Sequence, residues 1–391
     1  MRRKYDATPY FEFPLKSNRK VVQEYLQKYD TLSQLLDANP TILDLAHEDF
    51  KKLSEEDDNT DQKRNRSSTY TSDSLLRALI VQCIEQVGYR EAVIRIERDD
   101  CLKQFCRLGP GEVMDYSFLS RAFGVLSPET LKEINRCLSG YAIENELMDP
   151  TIVRTDTTVV ETNIHYPTDS SLLWDCARVL IRQLRDGRTY APDFLNNRFH
   201  DKKLKRLFVA ITRGCRSKAK GRKAKTNKRK LKKYFRKLIA GVQRLVDVAE
   251  PFVVHATSAP TIELNRIGAT LERFLPEVKK VVQQSIRAQL NGETVPARER
   301  IFSIFEPHTE LIVRGKARKA VEFGHKILLT EAEGTFITDY DVLRATPNDR
   351  HLGERVIERH KKLYGEAPEV LAGDAGFHPG EEKRQDLEEL T

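Results

Sequence analysis

The first part of the chain shows helical hydrophobic spacing followed by a polar stretch. An aromatic lead that includes Tyr10 and Phe13 precedes leucines at helical spacing, among them Leu26, Leu36 and Leu43. The segment LSEEDDNTDQKRNRSS then carries charged and small polar residues without an apolar period. The pattern predicts a helical lead and a linker over residues 1–66.

A stronger helical period runs from residue 71 to 148. It covers SDSLLRALIVQCIEQ, YREAVIRIERDD, YSFLSRAFGVL and SPETLKEINRCL. The first segment begins with a Ser or Asp cap, and in the last Ser127 precedes a proline at the first helical position. The helix that contains Arg121 fits DNA reading and amphipathic packing equally well. We predict an all-α domain over residues 67–149.

The period changes at TIVRTDTTVVETNIHYP, where β-branched residues predict one strand or a two-stranded hairpin. Residues 170–290 return to helical spacing, within which Trp174 is expected to pack in a core. Strand patterns resume in RIFSIFE, TELIVRG, AVEFGHKILLTEAEG and TFITDYDVLRA, before the helix NDRHLGERVIERHKKLYG and a last strand in APEVLAGDAG. This order predicts a mixed α/β domain over residues 150–391, whose sheet is covered by helices.

Composition narrows the class of protein. A chain of 391 residues exceeds the usual size of a single core, and 39% hydrophobic with 32% charged residues is typical of a folded globular protein. The N-terminus lacks an apolar signal-peptide region, and no apolar run is long enough to predict a membrane span. The six cysteines form no CxxC pair and are expected to be reduced thiols of a cytoplasmic protein.

Positive charge is concentrated in one run. The net charge is +8, and RGCRSKAKGRKAKTNKRKLKKYFRK, from Arg213 to Lys237, contains no acidic residue. Such a run favours contact with a DNA backbone, and Tyr234 and Phe235 can stack on a base; the alternative is a flexible surface loop. The predicted DNA-binding residues of the run are Arg213, Arg216, Lys218, Lys220, Arg222, Lys223, Lys225, Lys228, Arg229, Lys230, Lys232, Lys233, Arg236 and Lys237.

Two aspartates are candidates for metal binding. Asp156 lies within the first predicted strand, and Asp374 follows the apolar run of the last strand. If those strands are neighbours, the two carboxylates provide the hard oxygen ligands that Mg²⁺ requires. The alternative is that each aspartate satisfies the amides of a turn. His165, His325 and His378 lack an HxxxH or Cys/His pattern and are not predicted to be metal ligands.

Several segments together resemble a known family. IVRTDTTVVETNIHYPTDSSLL, FEPHTELIVRGKARKAVEFGHKILLTEAEGTFITDYDVLRATPND and VLAGDAGFHPGEE are similar to the catalytic domain of bacterial insertion-sequence DDE transposases. YTSDSLLRALIVQCIEQVGYREAVIRIERDDCLKQFCRL, with YSFLSRAFGVLSPETL, resembles their N-terminal helical DNA-binding domain. The resemblance covers most of residues 70–391. It implies an RNase H-like fold in which residues 170–290 are a helical, basic insertion after the first strand.

The resemblance also implies roles for particular residues. Asp156 and Asp374 correspond to the first two catalytic acids, which bind two Mg²⁺ ions, or Mn²⁺, and His325 and Lys326 are expected to face DNA. The third acid of the family is usually a Glu on a later helix that follows another strand. Seventeen residues follow Asp374, too few for a strand of ~5 to 6 residues and a helix of ~11 to 12. We therefore expect an incomplete RNase H-like domain, truncated before the third acid.

Glu381 and Glu382 are the nearest candidates for a third ligand. Their alternative role is to complement the dipole in the first turn of a helix. The implied function is metal-dependent cleavage and strand transfer at the ends of an insertion sequence. The implied partners are double-stranded DNA, as terminal repeats and target, and a second copy of the chain, in the nucleoid of a bacterial cell. Two alternatives remain: a non-catalytic DNA-binding remnant that inhibits transposition, and an RNase H-like nuclease with another substrate.

Overall fold

The computed structural model describes residues 2–5, 15–53, 70–109, 112, 114–217, 220–313 and 320–377. This part of the chain is mixed α/β, with helices in the majority and one small mixed sheet. It forms two compact units. The first comprises the described residues of Met1–Thr155, Leu329–Asp339 and Gly353–Thr391, and the second those of Asp156–Leu328 and Tyr340–Leu352.

The N-terminal part of the first unit is helical, as its hydrophobic spacing predicts. Its helices are α1 (Lys20–Ala38), α2 (Pro40–Phe50), α3 (Ser72–Ile84), α4 (Tyr89–Arg98), α5 (Asp100–Phe105), α6 (Tyr116–Val125) and α7 (Pro128–Glu144). Ser127 caps α7 as predicted, because its Oγ accepts a hydrogen bond from Thr130 N at 3.1 Å. The cap of α3 is Thr71, which has extended backbone angles, and not the expected Ser or Asp.

An ion network in the first unit surrounds the buried Arg77, and its outer acid, Asp37, is half exposed. The Arg77 side chain is fully buried, and its guanidinium donates to Asp73 Oδ1 and Asp37 Oδ1, each at 2.8 Å. Arg107 donates to the same two acids, at 2.8 Å to Asp73 and 2.7 Å to Asp37. These bonds tie α1 and α3 to the segment that follows α5, since a buried charge must be paired.

The sheet contains β1 (Ile152–Glu161), β2 (Glu310–Val313), β3 (Val321–Ala332), β4 (Phe336–Leu343) and β5 (Val370–Gly373). The strand order is β2-β3-β1-β5, and β4 also pairs with β3. β2 and β3 are antiparallel, with Glu310 opposite Gly324, whereas β1 and β5 are parallel. Helix α12 (Gly353–Tyr364) precedes β5. The first strand signal is thus one strand, which decides between the two options that the sequence left open.

The helical block predicted after the first strand is confirmed in the second unit. It consists of α8 (Asp169–Tyr190), α9 (Lys202–Cys215), α10 (Gly221–Thr257) and α11 (Ile262–Ser285), which continues as a π-helical segment (Ile286–Asn291). Its core is built mainly by leucine, valine and isoleucine, with contributions from all four helices. Trp174 is half-buried against this core and stacks on Phe208 with ring centroids 6.1 Å apart.

The strand predicted for RIFSIFE is wrong. Ile301 and Ile304 are buried in the core of the helical block, and the segment has no strand. The buried Gln284 side chain replaces the missing strand partner: its Oε1 accepts from Ile301 N at 2.9 Å, and its Nε2 donates to Ile301 O at 3.2 Å. The apolar side chains are therefore buried without strand pairing, because the Gln284 amide forms the hydrogen bonds that the backbone N–H and C=O of Ile301 require.

Two further expectations can be compared with the structure. The six cysteines form no disulfide. Among the helices of the described ranges, none combines the length and the apolar character that crossing a bilayer requires. The boundaries proposed for residues 1–66, 67–149 and 150–391 stay predictions.

Candidate functional site

Asp156 lies on the exposed face of β1. Burial alternates along the strand, so that Val153, Thr155 and Thr157 face the interior and Arg154 and Asp156 face outward. This is the period of two that a half-buried strand imposes. Asp156 Oδ1 accepts a hydrogen bond from Thr157 N at 2.7 Å. The strand thus presents the carboxylate to solvent while its neighbours anchor the backbone.

Asp374 follows the last residue of β5 and is also exposed. Its Oδ1 accepts from Gly376 N at 2.8 Å, and its carbonyl oxygen accepts from Phe377 N at 3.0 Å. The buried Phe377 holds the resulting 3-10 turn, Ala375–Phe377, in place. The turn alternative considered from the sequence is therefore real for Asp374, but it occupies one oxygen of the carboxylate. Within the described ranges, Oδ2 of neither Asp374 nor Asp156 receives a hydrogen bond.

In the pairing of β1 and β5, the residues that precede the two aspartates lie opposite each other. The strands run parallel with Ile152 opposite Val370 and Thr155 opposite Gly373. Asp156 is the next residue after Thr155, and Asp374 is the next after Gly373. The expectation that the two acid-bearing strands are neighbours is therefore confirmed. Among the residues that the structure describes, no group of three or more His, Cys, Asp or Glu side chains has metal-binding geometry. Glu381, Glu382 and His378 lie outside the described residues.

Thr157 of β1 and Lys326 of β3 contact a loop of their own unit, the second. Thr157 Oγ1 donates to Asp349 Oδ1 at 3.1 Å, and the Lys326 ammonium contacts the same carboxylate oxygen at 2.6 Å. Lys326 Nζ also donates to Pro347 O at 2.9 Å. Lys326 is therefore engaged within the protein through two contacts, with Pro347 and Asp349. Its predicted contact with DNA stays a prediction.

His325 contacts a second histidine. Its Nε2 lies 2.7 Å from His308 Nδ1, and His308 Nε2 lies 2.9 Å from Glu306 Oε2. Burial, together with the charge of His308, lowers the pKa of His325 below its ordinary value. The role expected for His325 at the DNA is likewise untested.

The basic run forms a helical hairpin. Helices α9 and α10 approach closely at two glycines: a Cβ on Gly214 would lie 2.7 Å from Leu231 Cδ2, and a Cβ on Gly241 would collide with Leu204. Leu204 and Gly214 are ten residues apart, as are Leu231 and Gly241, so the helices pack antiparallel in a constant register. Asn227 Nδ2 closes the turn by donating to Gly214 O at 2.9 Å. The loop alternative is thus wrong for the described part of the run.

The hairpin exposes its charges. All of the predicted basic residues that the structure describes between Arg213 and Lys237 are exposed, and no ion pair is found for them within the described ranges. Lys218 lies outside the described residues. Stacking of Phe235 on a base is contradicted, because its side chain is 5% exposed in the helical core, and Tyr234 packs against the same core. Aromatic residues anchor the hairpin, and its lysines and arginines form the surface.

Two further features bear on nucleic-acid contact. In α6, Phe118 and Leu119 are buried and the Arg121 guanidinium lies over the Phe118 ring at 5.4 Å, so packing explains this helix and DNA reading stays untested. A row of arginines on α8, from Arg178 to Arg188, was missed in the sequence. Its spacing is visible there, but the three aspartates of α8 offset most of the charge of its four arginines.

Comparison of the chain with protein-family models, curated proteins and solved structures gives no significant match.

Proposed function

We propose that this protein is a DDE-type transposase that cleaves DNA at the ends of an insertion sequence and transfers the freed strands to target DNA. In this proposal the sheet is the core of an RNase H-like domain, and α8 to α11 are an insertion after its first strand. The sequence resemblance supports it. So does the order of elements: one strand, a helical block, three strands, a helix and a strand parallel to the first.

The register of β1 and β5 carries the proposal. Thr155 and Gly373 are paired, and each is followed by an exposed aspartate. Two outward carboxylates on adjacent parallel strands are a donor set of hard oxygens, which suits Mg²⁺ or Mn²⁺. The donor set fits a metal for a second reason: each carboxylate has one oxygen fixed by a backbone amide and the other without a hydrogen-bond donor in the described ranges.

Two bound Mg²⁺ ions would supply Lewis-acid activation of the attacking and leaving oxygens. Asp156 and Asp374 would hold these ions through their carboxylate oxygens. In cleavage, a water oxygen forms a bond to phosphorus while the bond from phosphorus to the 3′ oxygen breaks. In strand transfer, that 3′ hydroxyl forms a bond to a target phosphorus and a target 3′ oxygen leaves. The exposed hairpin of α9 and α10 binds the DNA backbone, and two copies of the chain hold two ends in the nucleoid.

Cleavage of a defined plasmid tests the proposal. The substrate is supercoiled DNA that carries the genomic sequences flanking the gene, incubated with the full chain and 5 to 10 mM Mg²⁺ or Mn²⁺ (on the order of the millimolar levels at which such sites fill). We expect metal-dependent nicking and joining to a second plasmid. Asp156→Asn and Asp374→Asn should each abolish both, whereas Asp247→Asn, which alters an exposed carboxylate of α10, should not.

Nicking that survives both substitutions would overturn the catalytic assignment. The non-catalytic alternative, an inhibitor that occupies element ends, is favoured by the exposed basic hairpin, whose charges do not depend on the aspartates. This alternative predicts that the wild type and both aspartate variants bind duplex DNA in EDTA and that none of them nicks DNA with Mg²⁺ or Mn²⁺. That result would also separate it from a nuclease, which nicks without joining.

A further inference from the structure

Helix α8 carries a row of arginines along one side. Arg178, Arg182, Arg185 and Arg188 are spaced by four, three and three residues, which keeps them on one face of the helix. The row covers about 15 Å at 1.5 Å per residue, which matches roughly four phosphates of one DNA strand at an axial rise of 3.4 Å. The opposite face of α8, including Leu180 and Leu184, is buried in the helical core.

The row lines two clefts of the second unit. The first, of about 340 Å³, is bordered by Arg178, Arg182 and Arg185 together with Asp201. The second, of about 600 Å³, is bordered by Arg185 and Arg188 together with Arg198. Because Arg185 lines both, the clefts are neighbours along α8. Asp186, the remaining acid of this part of the helix, lines neither.

Two members of the row are held in position by the protein. Arg178 donates to Asp175 Oδ1 at 2.6 Å, and the other oxygen of this buried carboxylate contacts His165 at 2.6 Å. Arg185 donates to Phe199 O at 2.8 Å and contacts Asp201 at 3.3 Å. Both side chains are still about half exposed, at 53% and 47%. Their guanidinium planes are therefore oriented before a ligand arrives, which lowers the entropic cost of binding.

Other members of the clefts carry uncompensated charge. In the part of the chain that the structure describes, Arg182, Arg188 and Arg198 have no ion-pair partner. The linings of the two clefts thus combine five guanidiniums with one carboxylate, that of Asp201. Guanidinium groups bind phosphate oxygens in a bidentate manner, which fixes the direction of approach as well as the charge.

We propose that the arginine row of α8 is a second DNA-contact surface, which binds the phosphodiester backbone in a fixed orientation. The inference rests on the proposed function for its ligand class and deepens it. The hairpin and the arginine row differ in chemistry: the hairpin presents mainly lysines, whereas the row presents partly fixed guanidiniums. A DNA backbone suits the row better than an acidic peptide does, because the same unit exposes the lysine-rich hairpin and a long polyanion serves both.

The test compares two double variants in DNA binding. Arg182→Ala with Arg188→Ala removes two arginines that have no partner in the described structure. Arg266→Ala with Arg273→Ala removes the same charge from exposed positions of α11 that lie outside the hairpin and line neither cleft. Affinity for a fluorescent duplex of mixed sequence is measured by anisotropy in EDTA over a series of salt concentrations. Circular dichroism and thermal unfolding confirm that each variant is folded.

For the row variant we expect affinity to fall by ~10-fold or more at low salt and the slope of log K against log salt to fall by about 1.8, or 0.9 per lost phosphate contact. The control variant should keep the wild-type slope. Arg182→Lys with Arg188→Lys should keep the slope but bind more weakly, because lysine keeps the charge and loses the bidentate contact. This third result distinguishes an oriented surface from a diffuse one.

Equal losses of slope in the row variant and the control would overturn the inference, as would no loss in the row variant. Loss of binding to a polyglutamate peptide with unchanged duplex binding would assign the row to an acidic protein partner and overturn it too. EDTA and the use of Asp156→Asn protein separate this test from metal-dependent cleavage. If the chain does not cleave DNA but the binding results are as expected, the arginine surface is supported and the catalytic proposal is not. If cleavage is as expected but the row variant binds like the wild type, the catalytic proposal is supported and the arginine surface is not.

Discussion

Thr155 lies opposite Gly373 in the parallel pair of β1 and β5, one residue before an aspartate on each strand. A shift of this register by a single residue would turn one of the two side chains to the other face, since alternate residues face opposite sides of a sheet. Each aspartate therefore follows directly after a member of the same paired position. If both acids bind one metal ion, the binding of that ion depends on the folded pairing of β1 and β5.

Mg²⁺ is accordingly expected to stabilise the folded chain. A ligand that binds only the folded state raises the free energy of unfolding by RT ln(1 + [L]/Kd), or roughly 1.4 kcal/mol at ten times Kd. Thermal unfolding with and without Mg²⁺ should show an increase in Tm for the wild type and for Asp247→Asn. Asp156→Asn and Asp374→Asn should lose most of this increase. An equal increase in all four proteins would assign the metal to another site.

Gly324 allows β3 to approach β1. A Cβ at this position would collide with the carbonyl oxygen of Val160 and lie 2.8 Å from Glu161 Cα, and neither backbone can move without breaking the sheet. Gly324→Ala should therefore lower the free energy of unfolding by about 2 kcal/mol or more. Gly140→Ala in α7 is the matched control, because a Cβ there meets nothing within 4 Å. In a helix interior it should stabilise by roughly 0.5 to 1 kcal/mol. Urea unfolding gives both values, and equal effects would contradict the packing argument.

Arg77 is expected to be the most sensitive charged residue of the first unit. Its removal takes from Asp73, whose side chain is 7% exposed, one of its two guanidinium partners and leaves Arg107 as the other. Arg77→Met should cost roughly 2 to 3 kcal/mol of folding free energy, because a buried acid loses a charged hydrogen bond. Arg136→Met, which breaks an exposed ion pair with Glu133, should cost less than about 1 kcal/mol. Denaturant unfolding of both variants checks the difference, and a loss below about 1 kcal/mol for Arg77→Met would show that the network is dispensable.

The parts of the fold that could be predicted are those that local chemistry decides. The cap at Ser127 and the alternation that exposes Asp156 both follow from a few adjacent residues. The RIFSIFE segment was mistaken because its backbone partner, Gln284, is seventeen residues from Ile301 and leaves no local signal. Pairing of β1 with β5 is similarly long-range; the sequence supports it by resemblance, and local pattern does not determine it. The arginine row was not predicted, because the search for basic segments considered runs free of acidic residues and did not consider arginines at helical spacing.

Asp49 makes the stability of the first unit sensitive to acid. Burial acts to raise its pKa, but hydrogen bonds from Lys52, Ser127 N and Thr130 outweigh burial and lower the pKa from 3.8 to about 2. A lowered folded-state pKa gives stabilisation that is present above pH 3.8 and is lost as the pH falls through about 2. The contribution is roughly 2 kcal/mol. Asp49→Asn should therefore flatten the decline in unfolding free energy between pH 4 and pH 2 (roughly the interval between the two pKa values), whereas Asp30→Asn, at an exposed position, should leave it unchanged.

The hairpin of α9 and α10 should bind DNA without regard to sequence. Lys228 and Lys232 are exposed and four residues apart on α10, so both can contact one backbone. Lys228→Ala with Lys232→Ala should lower the slope of log K against log salt by about 1.8, by the same amount for duplexes of unrelated sequence. Lys228→Arg with Lys232→Arg should keep the wild-type slope, because the slope depends on the number of positive charges and arginine keeps both. A quadruple variant with alanine at Lys228, Lys232, Arg182 and Arg188 should lose roughly twice as much slope if the hairpin and the arginine row bind different phosphates. A combined loss no greater than either alone would mean that they compete for the same ones.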